Sequence, residues 1–482
     1  MGTFLAEVCP HEKTEKKELV YMCGIFGIQN HKEAVQLTFL GLYGLQHRGE
    51  ESAGIASYGK DGVCVHRGEG SVEKVFKEKV LNEMTGQTAI GHVRYSTTGS
   101  SSPKNIQPFS VNHRGQFMAV AHNGNLTNTR ELSDLLEKSG SIFQSSMDSE
   151  ILIHLLTKSG KEDIKDKFID ALSAAKGAYS ALFLVDGLLV GARDPYGIKP
   201  LSLGKVNGSY ILASETCVFD MLGAEYIRDI KRGEIIFIDK DNNIESVFMK
   251  KALRSDCIFE LIYFGRPDSK IFGDSVYLQR KRLGKQLAIE HPCEADLVLP
   301  VPDSGSFAAL GFAEETGIPF ELGIVRNHYI GRTFTNPSQF IREFKVKIKL
   351  NPIKELLKGK NIVLVDDSIV RGTTSKNRIQ TLRDAGVKKI HMRISCPPII
   401  SPCFYGIDFP TKKELIANNK TIKEIKDFIG VDSLGYVSLD GMKQALAGDK
   451  QRFCDACFSG NYPIDVSFKS SKYMLEMNKQ SF

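Results

Sequence analysis

The sequence predicts two domains, an α+β domain followed by an α/β domain, and three observations predict it. Its 482 residues are too many for one ordinary core, so two units of roughly 200 residues are expected. From Cys23 to about residue 250, short β-type runs alternate with helical stretches between Gly-rich turns. After Cys257 a strand–loop–helix unit is used twice, the pattern of a mainly parallel sheet. The expected divisions are a leader at 1–22, a first domain at 23–256 and a second at 257–482.

Composition narrows the class. Hydrophobic content of 42% and charged content of 25% are those of an ordinary globular protein. The 63 basic and 57 acidic residues are too balanced for a nucleic-acid partner, which would show as a basic stripe. No apolar run reaches the length of a membrane span, and the charged stretch His11-Glu12-Lys13-Thr14-Glu15-Lys16-Lys17-Glu18 has no signal core, so a cytoplasmic protein with no membrane partner is expected. Ten dispersed cysteines without a secretion signal point to metal or catalytic roles rather than disulfides. Cys9, Cys64, Cys217, Cys293 and Cys396 stand alone and read as small buried hydrophobes.

The first domain opens at Cys23-Gly24-Ile25-Phe26-Gly27-Ile28, a strand headed by a cysteine. If the chain begins there, a free α-amine with a pKa near ~8 takes the proton of a thiol near ~8.5, and one residue is both nucleophile and base. The leader must then be removed, either because synthesis starts at Met22 and the methionine is lost, or because a propeptide is cleaved. The run Gly91-His92-Val93-Arg94-Tyr95-Ser96-Thr97-Thr98-Gly99 puts Arg94 between a strand and a turn, suited to a bidentate grip on a carboxylate. Strand 116–121 leads into His122-Asn123-Gly124-Asn125, where Asn-Gly is either a hairpin turn or an oxyanion hole whose donors are each worth ~3 kcal/mol. Asp148 opens a helix over 148–157, ordinarily a capping position, and 181–185 is a further strand.

In the second domain, strand 297–301 enters the loop Pro302-Asp303-Ser304-Gly305. Strand 362–365 enters Asp366-Asp367-Ser368-Ile369-Val370-Arg371-Gly372-Thr373-Thr374, an acidic pair and then small hydroxylated residues opening a helix. Loop N–H groups at a helix start suit a phosphate, and two carboxylates at a strand end suit ribose hydroxyls and Mg²⁺. Between them, Arg326-Asn327-His328-Tyr329-Ile330-Gly331-Arg332-Thr333-Phe334 with Arg342, Lys345, Lys347 and Lys349 is a basic segment able to close over a polyanion. Beyond Asp408 the chain is expected to be mainly helical. Cys454-Asp455-Ala456-Cys457, with Cys257 and Cys403, makes four thiols able to hold zinc or an iron–sulfur cluster, and spacing does not choose between them.

Taken together, Cys23–Gly27 and its neighbours 45–54, 91–97 and 122–125 resemble the N-terminal-nucleophile glutamine amidotransferase domain. The resemblance implies a four-layer αββα fold, Cys23 as nucleophile, Asn123 and Gly124 as oxyanion donors, and Arg94, Thr97 and Asp148 as ligands of the glutamine carboxylate and amine. Residues 362–374 resemble the phosphoribosyl pyrophosphate (PRPP) motif of type I phosphoribosyltransferases. This implies PRPP binding by Asp366, Asp367, Ser368, Arg371, Gly372, Thr373 and Thr374, with one Mg²⁺ per subunit on Ser304, Asp366 and Asp367. The words around the four cysteines resemble the cluster-bearing branch of the amidophosphoribosyltransferase family, implying one structural, oxygen-sensitive 4Fe-4S cluster per subunit on Cys257, Cys403, Cys454 and Cys457.

Both halves over 23–460 are similar to that family, which implies conversion of PRPP, glutamine and water to 5-phosphoribosylamine, glutamate and pyrophosphate, the first committed step of purine synthesis. A homotetramer inhibited by purine nucleotides is implied as well. Gly265, where alanine is common, and Met22 ending the leader are the departures. The competing expectations are a sister amidotransferase such as asparagine synthetase or glucosamine-phosphate synthase, a non-catalytic PRPP-binding regulator, and an electron-transfer iron–sulfur protein.

Overall fold

The structure is a computed structural model that describes residues 22–95, 102–327, 350–409, 411–446 and 452–466. In its first half, two antiparallel sheets lie between two helical layers. One sheet has seven strands in the order Glu225–Asp229, Ser202–Val206, Ser209–Ala213, Gly24–Ile28, Thr88–Arg94, Ser52–Gly59, Gly62–Glu69. The other has six, Ile244–Phe248, Glu234–Ile238, Leu188–Arg193, Gly177–Val185, Gln116–Leu126, Phe109–His113.

The layering follows from side-chain alternation. Along Gly177–Val185, Ala181, Phe183 and Val185 pack with Leu152 and Phe168 of the helices Asp148–Lys158 and Ile164–Ala174. Leu182 and Leu184, pointing the other way, join Ile25 and Ile90 of the facing sheet. Phe26 and Ile28 turn outward again onto Val35 and Leu42 of the helix Ala34–Gly44. Strands covered on both faces read as nearly continuous apolar runs, and each fully buried Leu or Phe is worth roughly 1.5–3 kcal/mol.

The second half is built on a four-stranded parallel sheet, Leu297–Pro300, Asn361–Asp366, Lys389–Ile394, Ser433–Tyr436, in chain order. Beyond Asp408 the described chain is mainly helical, as expected, apart from this last strand and the two residues Phe453–Cys454. Ser-Leu-Gly-Tyr has no β signal of its own, and the open edge of Lys389–Ile394 supplies the pairing that makes it a strand. The expected boundary at 256/257 falls inside the two-residue strand Asp256–Cys257, which pairs in parallel with Phe453–Cys454. One apolar cluster runs from Met22, Ala178 and Ile198 of the first half into the second. Among the described residues no helix is long and apolar enough to cross a membrane.

Candidate functional site

Antiparallel pairing of Gly24 with Val93 sets Cys23 beside Arg94 at the ends of adjacent strands. The Cys23 thiol donates to the Tyr95 carbonyl at 3.6 Å, and the Cys23 carbonyl accepts from Arg48 Nε at 2.8 Å. Burial pushes the thiol up; the Tyr95 contact, Arg94 and Arg48 pull against it, and Asp148 adds to it. A neutral thiol is therefore the resting form, and attack needs a base.

The facing sheet brings in His122, Asn123 and Gly124 on the strand Gln116–Leu126. Its tie to the first sheet is His92 Nε2 against the His122 carbonyl at 3.1 Å, with the His92 ring held neutral by burial and by Arg94, its pKa pushed down to about 3. Asn-Gly is thus no hairpin turn here. Pairing with Gly177–Val185 carries the chain straight through it, and turn chemistry loses to the ladder. Gly124 sits at φ +149°, where an added Cβ would lie 2.0 Å from the Ala178 carbonyl oxygen, so only glycine fits.

Asp148 does not cap its own helix, because it is the first helical residue and Met147 holds the capping position. Its carboxylate instead accepts from the Leu126 N–H at 2.9 Å and faces His122 Nδ1 at 3.5 Å. Burial would raise its pKa, but His122 and the N–H donors outweigh burial and hold it below the usual range. Thr97 lies outside the described residues.

Asn123 Oδ1 and Nδ2, His122 Nε2 and His92 Nδ1 are buried with no hydrogen-bond partner among the described residues. Each such group costs about 1–3 kcal/mol, and these four, on strands joined by the His92–His122 contact, suit a polar guest.

Arg48 and its partners were not found from the sequence. Fully buried, it forks onto Glu260 at 2.9 and 3.1 Å and also pairs with Glu215. These partners lie 212 and 167 residues away, so nothing local announces them. Glu215 further accepts from His47 at 2.8 Å, the Arg266 N–H at 2.9 Å and Ser269 Oγ at 2.9 Å.

In the second half, Leu297–Pro300 and Asn361–Asp366 end side by side, with Pro300 opposite Val365, and release the loops 302–305 and 367–372 at the carboxyl edge of the sheet. Ligands of open parallel sheets bind there. Asp366 accepts from Arg378 Nη1 at 2.7 Å, Asp367 from Ser368 Oγ at 2.5 Å, and Gly372 immediately precedes the helix Thr373–Asp384. Burial raises the Asp366 pKa; Arg378 opposes this and the neighbouring Asp367 adds to it. Arg371 turns to Glu414 at 2.9 Å, and Asp303, beside Ser304, pairs with Arg326. The rest of the expected basic segment, from His328 through Lys349, lies outside the described residues.

The four cysteines expected to act together do come together. Cys257 stands opposite Cys454 in the parallel pairing, and Cys457 feels Cys454, Cys257 and Cys403. Burial pushes all four thiols up, Cys257 to about 12, and the neighbouring cysteines add to it at Cys257, Cys454 and Cys457. The buried Lys199 ammonium draws Cys257 and Cys403 down. Among the described residues no three His, Cys, Asp or Glu side chains surround a single metal ion. Four thiols that meet at a parallel strand pair, with a buried cation near two of them, are a donor set that zinc or an iron–sulfur cluster could take.

Comparisons agree with this geometry. A family model described as a glutamine amidotransferase domain matches residues 92–220. Amidophosphoribosyltransferase 1 (chloroplastic) of Arabidopsis thaliana is 48% identical over 444 residues, 92% of this chain and 78% of its own. The amidophosphoribosyltransferase of Bacillus subtilis is 46% identical, covering 94% and 96%. That of Methanocaldococcus jannaschii is 47% identical, covering 93% and 99%. The solved structure of glutamine PRPP amidotransferase from B. subtilis complexed with ADP and GMP superposes with a TM-score of 0.88 at 44% identity, over 93% of this chain and 99% of that one. A structure described as the allosteric regulatory enzyme of purine biosynthesis gives 0.89 at 45% identity, over 93% and 98%.

Proposed function

The chain belongs to the amidophosphoribosyltransferase family, and on that premise we propose which of its residues carry each part of the work. The protein converts PRPP, glutamine and water to 5-phosphoribosylamine, glutamate and pyrophosphate, entering purine synthesis. Likeness over both halves removes the sister amidotransferases, which need a different second half. The proposed division is a glutaminase at 23–256 and a phosphoribosyltransferase at 257–482.

Arg94, Thr97 and Asp148 hold the glutamine carboxylate and amine, and Cys23 Sγ attacks the side-chain amide. The thiol proton passes to the Cys23 α-amine, the carbonyl electron pair collects on an oxyanion held by Asn123 and Gly124, and the proton returns to the departing ammonia. Water then hydrolyses the thioester to glutamate. The observation that carries this is the set of buried polar atoms on His92, His122 and Asn123 that have no partner among the described residues, together with a neutral Cys23 thiol that needs a base.

The base requires Cys23 to be the first residue of the mature protein. Met22 is fully buried, its Sδ 2.8 Å from Arg48 Nη2 and 3.2 Å from Lys199 Nζ, so maturation would empty that thioether pocket and free the Cys23 amine.

Ammonia crosses to the anomeric carbon of PRPP sheltered from water, since ammonium has no lone pair to attack with. Asp366, Asp367, Ser368, Arg371, Gly372, Thr373 and Thr374 hold the ribose and 5-phosphate at the helix start. Ser304, Asp366 and Asp367 would hold Mg²⁺, which when bound neutralises the departing pyrophosphate. A buried Asp366 carboxyl pushed up by burial and by the adjacent Asp367 fits such a cation, and Mg²⁺ takes one or two carboxylates plus substrate oxygens rather than an all-protein cage. Cys257, Cys403, Cys454 and Cys457 would hold a 4Fe-4S cluster that cross-links the chain. Reduced thiols suit the cytoplasm, the proposed location. Inhibition by purine nucleotides is supported by the B. subtilis structure with ADP and GMP, and the proposed assembly is a homotetramer.

Cys23→Ser is the decisive variant. It should abolish pyrophosphate release driven by glutamine and leave that driven by ammonium salts intact. Loss of both activities in a folded protein, or survival of glutamine use, would overturn the assignment. N-terminal sequencing of active enzyme should begin at Cys23.

A further inference from the structure

Gly124 is boxed in on two sides. One wall is the Ala178 carbonyl of the paired strand. The other is Gly406 of the second half, at φ +95°, where an added Cβ would lie 2.7 Å from the Gly124 carbonyl carbon and 2.9 Å from its Cα. Two residues earlier the Phe404 carbonyl accepts from Asn125 Nδ2 at 2.9 Å. The turn 403–406 therefore touches the strand on both the residue proposed as an oxyanion donor and the residue after it. It begins at Cys403, whose sulfur accepts from the Tyr405 N–H at 3.3 Å.

The turn is itself pinned from behind. Tyr405 Oη donates to the Ile464 carbonyl at 2.8 Å and accepts from the Ile464 N–H at 3.1 Å. Tyr462 Oη donates to the Pro402 carbonyl at 2.7 Å, and the N–H groups of Ile400 and Ser401 both reach the Cys457 carbonyl. Buried and doubly tied, the turn has little freedom to retreat if pushed.

We propose that the turn 403–406 is a positioning clamp that fixes where the Gly124 N–H and the Asn123 amide point. The proposal rests on the oxyanion role given above to Asn123 and Gly124. Phe404 and Gly406 contact the strand, not the thiol. They act through Gly124 and Asn125, and the geometry of an oxyanion hole tolerates displacements of only a few tenths of an ångström before donors worth 10²–10³-fold in rate are lost, on the order found for single donors.

The test is Gly406→Ala, with Asn125→Ala as a gentler companion that removes one hydrogen bond and adds no bulk. Four quantities are measured on each holoenzyme: kcat and KM for glutamine hydrolysis, ammonia-driven pyrophosphate release, alkylation of Cys23 by chloroacetamide, and iron content. Alkylation forms an S–C bond, expels chloride and releases the thiol proton, and needs no oxyanion donor. The clamp predicts kcat for glutamine about tenfold or more lower in Gly406→Ala and several-fold lower in Asn125→Ala. KM should stay within about twofold, with ammonia-driven activity, alkylation and iron unchanged. Unchanged kcat in both variants overturns the clamp, as does a loss shared equally by glutamine- and ammonia-driven activity in both. Asn123→Ala run alongside separates the two ideas: if it keeps full glutamine turnover, the oxyanion assignment fails, whereas if it loses turnover and the turn variants do not, only the clamp fails.

Discussion

Asn123 carries both ends of a buried amide that meet nothing among the described residues. The arrangement is costly in the resting protein and useful only when negative charge develops nearby, which is how a group contributes to turnover rather than to substrate affinity. Asn123→Ala should therefore lower kcat for glutamine by about 10²–10³ with KM little changed. It should also leave thermal stability equal or up to about 1 kcal/mol higher, because an unsatisfied polar group has been removed. Steady-state kinetics and a melting curve on one preparation check both halves of that expectation. At this scale the sequence was informative where chemistry is local. Asp366-Asp367 and Cys454-Cys457 announce themselves in a few contiguous residues. Asp148 was legible as a residue of interest but not in its contacts, since the Leu126 N–H and the His122 ring reach it only after two sheets have stacked.

Elements meet through charge as well as through apolar packing, and the buried Arg48 is where this matters most. Its guanidinium joins the nucleophile's carbonyl, Glu215 of the first half and Glu260 on the helical turn Glu260–Phe264 of the second. Arg48→Met would leave two buried carboxylates without their main counter-ion and should cost about 3–5 kcal/mol by denaturant titration. Acid provides an independent check. Burial raises the Glu215 pKa, but His47 and Arg48 outweigh it and hold the carboxyl well below its usual value. A carboxyl depressed in the folded state contributes stability that is complete above the unfolded pKa of about 4.3 and drains away as pH falls toward the folded value. Unfolding free energy should then drop between about pH 5 and pH 3 in the parent and drop less steeply in Glu215→Gln. Equal slopes would remove Glu215 from the acid sensitivity. None of this pairing is legible in the sequence, because an arginine within residues 45–54 does not name partners on other elements. The strand Ser433–Tyr436 escaped for the same reason, its β character being conferred by a neighbour rather than by its residues.

Across the whole molecule, the tetrad of cysteines joins chain segments about two hundred residues apart, Cys257 at the start of the second half and Cys454 near its end. The strands that carry them, Asp256–Cys257 and Phe453–Cys454, are only two residues long and are too short to hold the C-terminal segment by hydrogen bonds alone. The proposed cluster would act there as a cross-link closing a very long loop, which on the chain-entropy scale would constrain the unfolded state by about 4–5 kcal/mol. The consequence reaches the glutaminase, because Tyr405 and Tyr462 tie the C-terminal segment to the turn that abuts Gly124. Anaerobic removal of iron should therefore lower the melting temperature by about 10 °C. It should speed amide exchange first at 452–466 and 400–406, and reduce glutamine-driven turnover before ammonia-driven turnover. Calorimetry with hydrogen exchange followed by mass spectrometry reads all three consequences. An unchanged melting temperature after complete iron loss would mean that the apolar packing of Phe453 and Phe458 already holds the segment and that the cluster cross-links nothing.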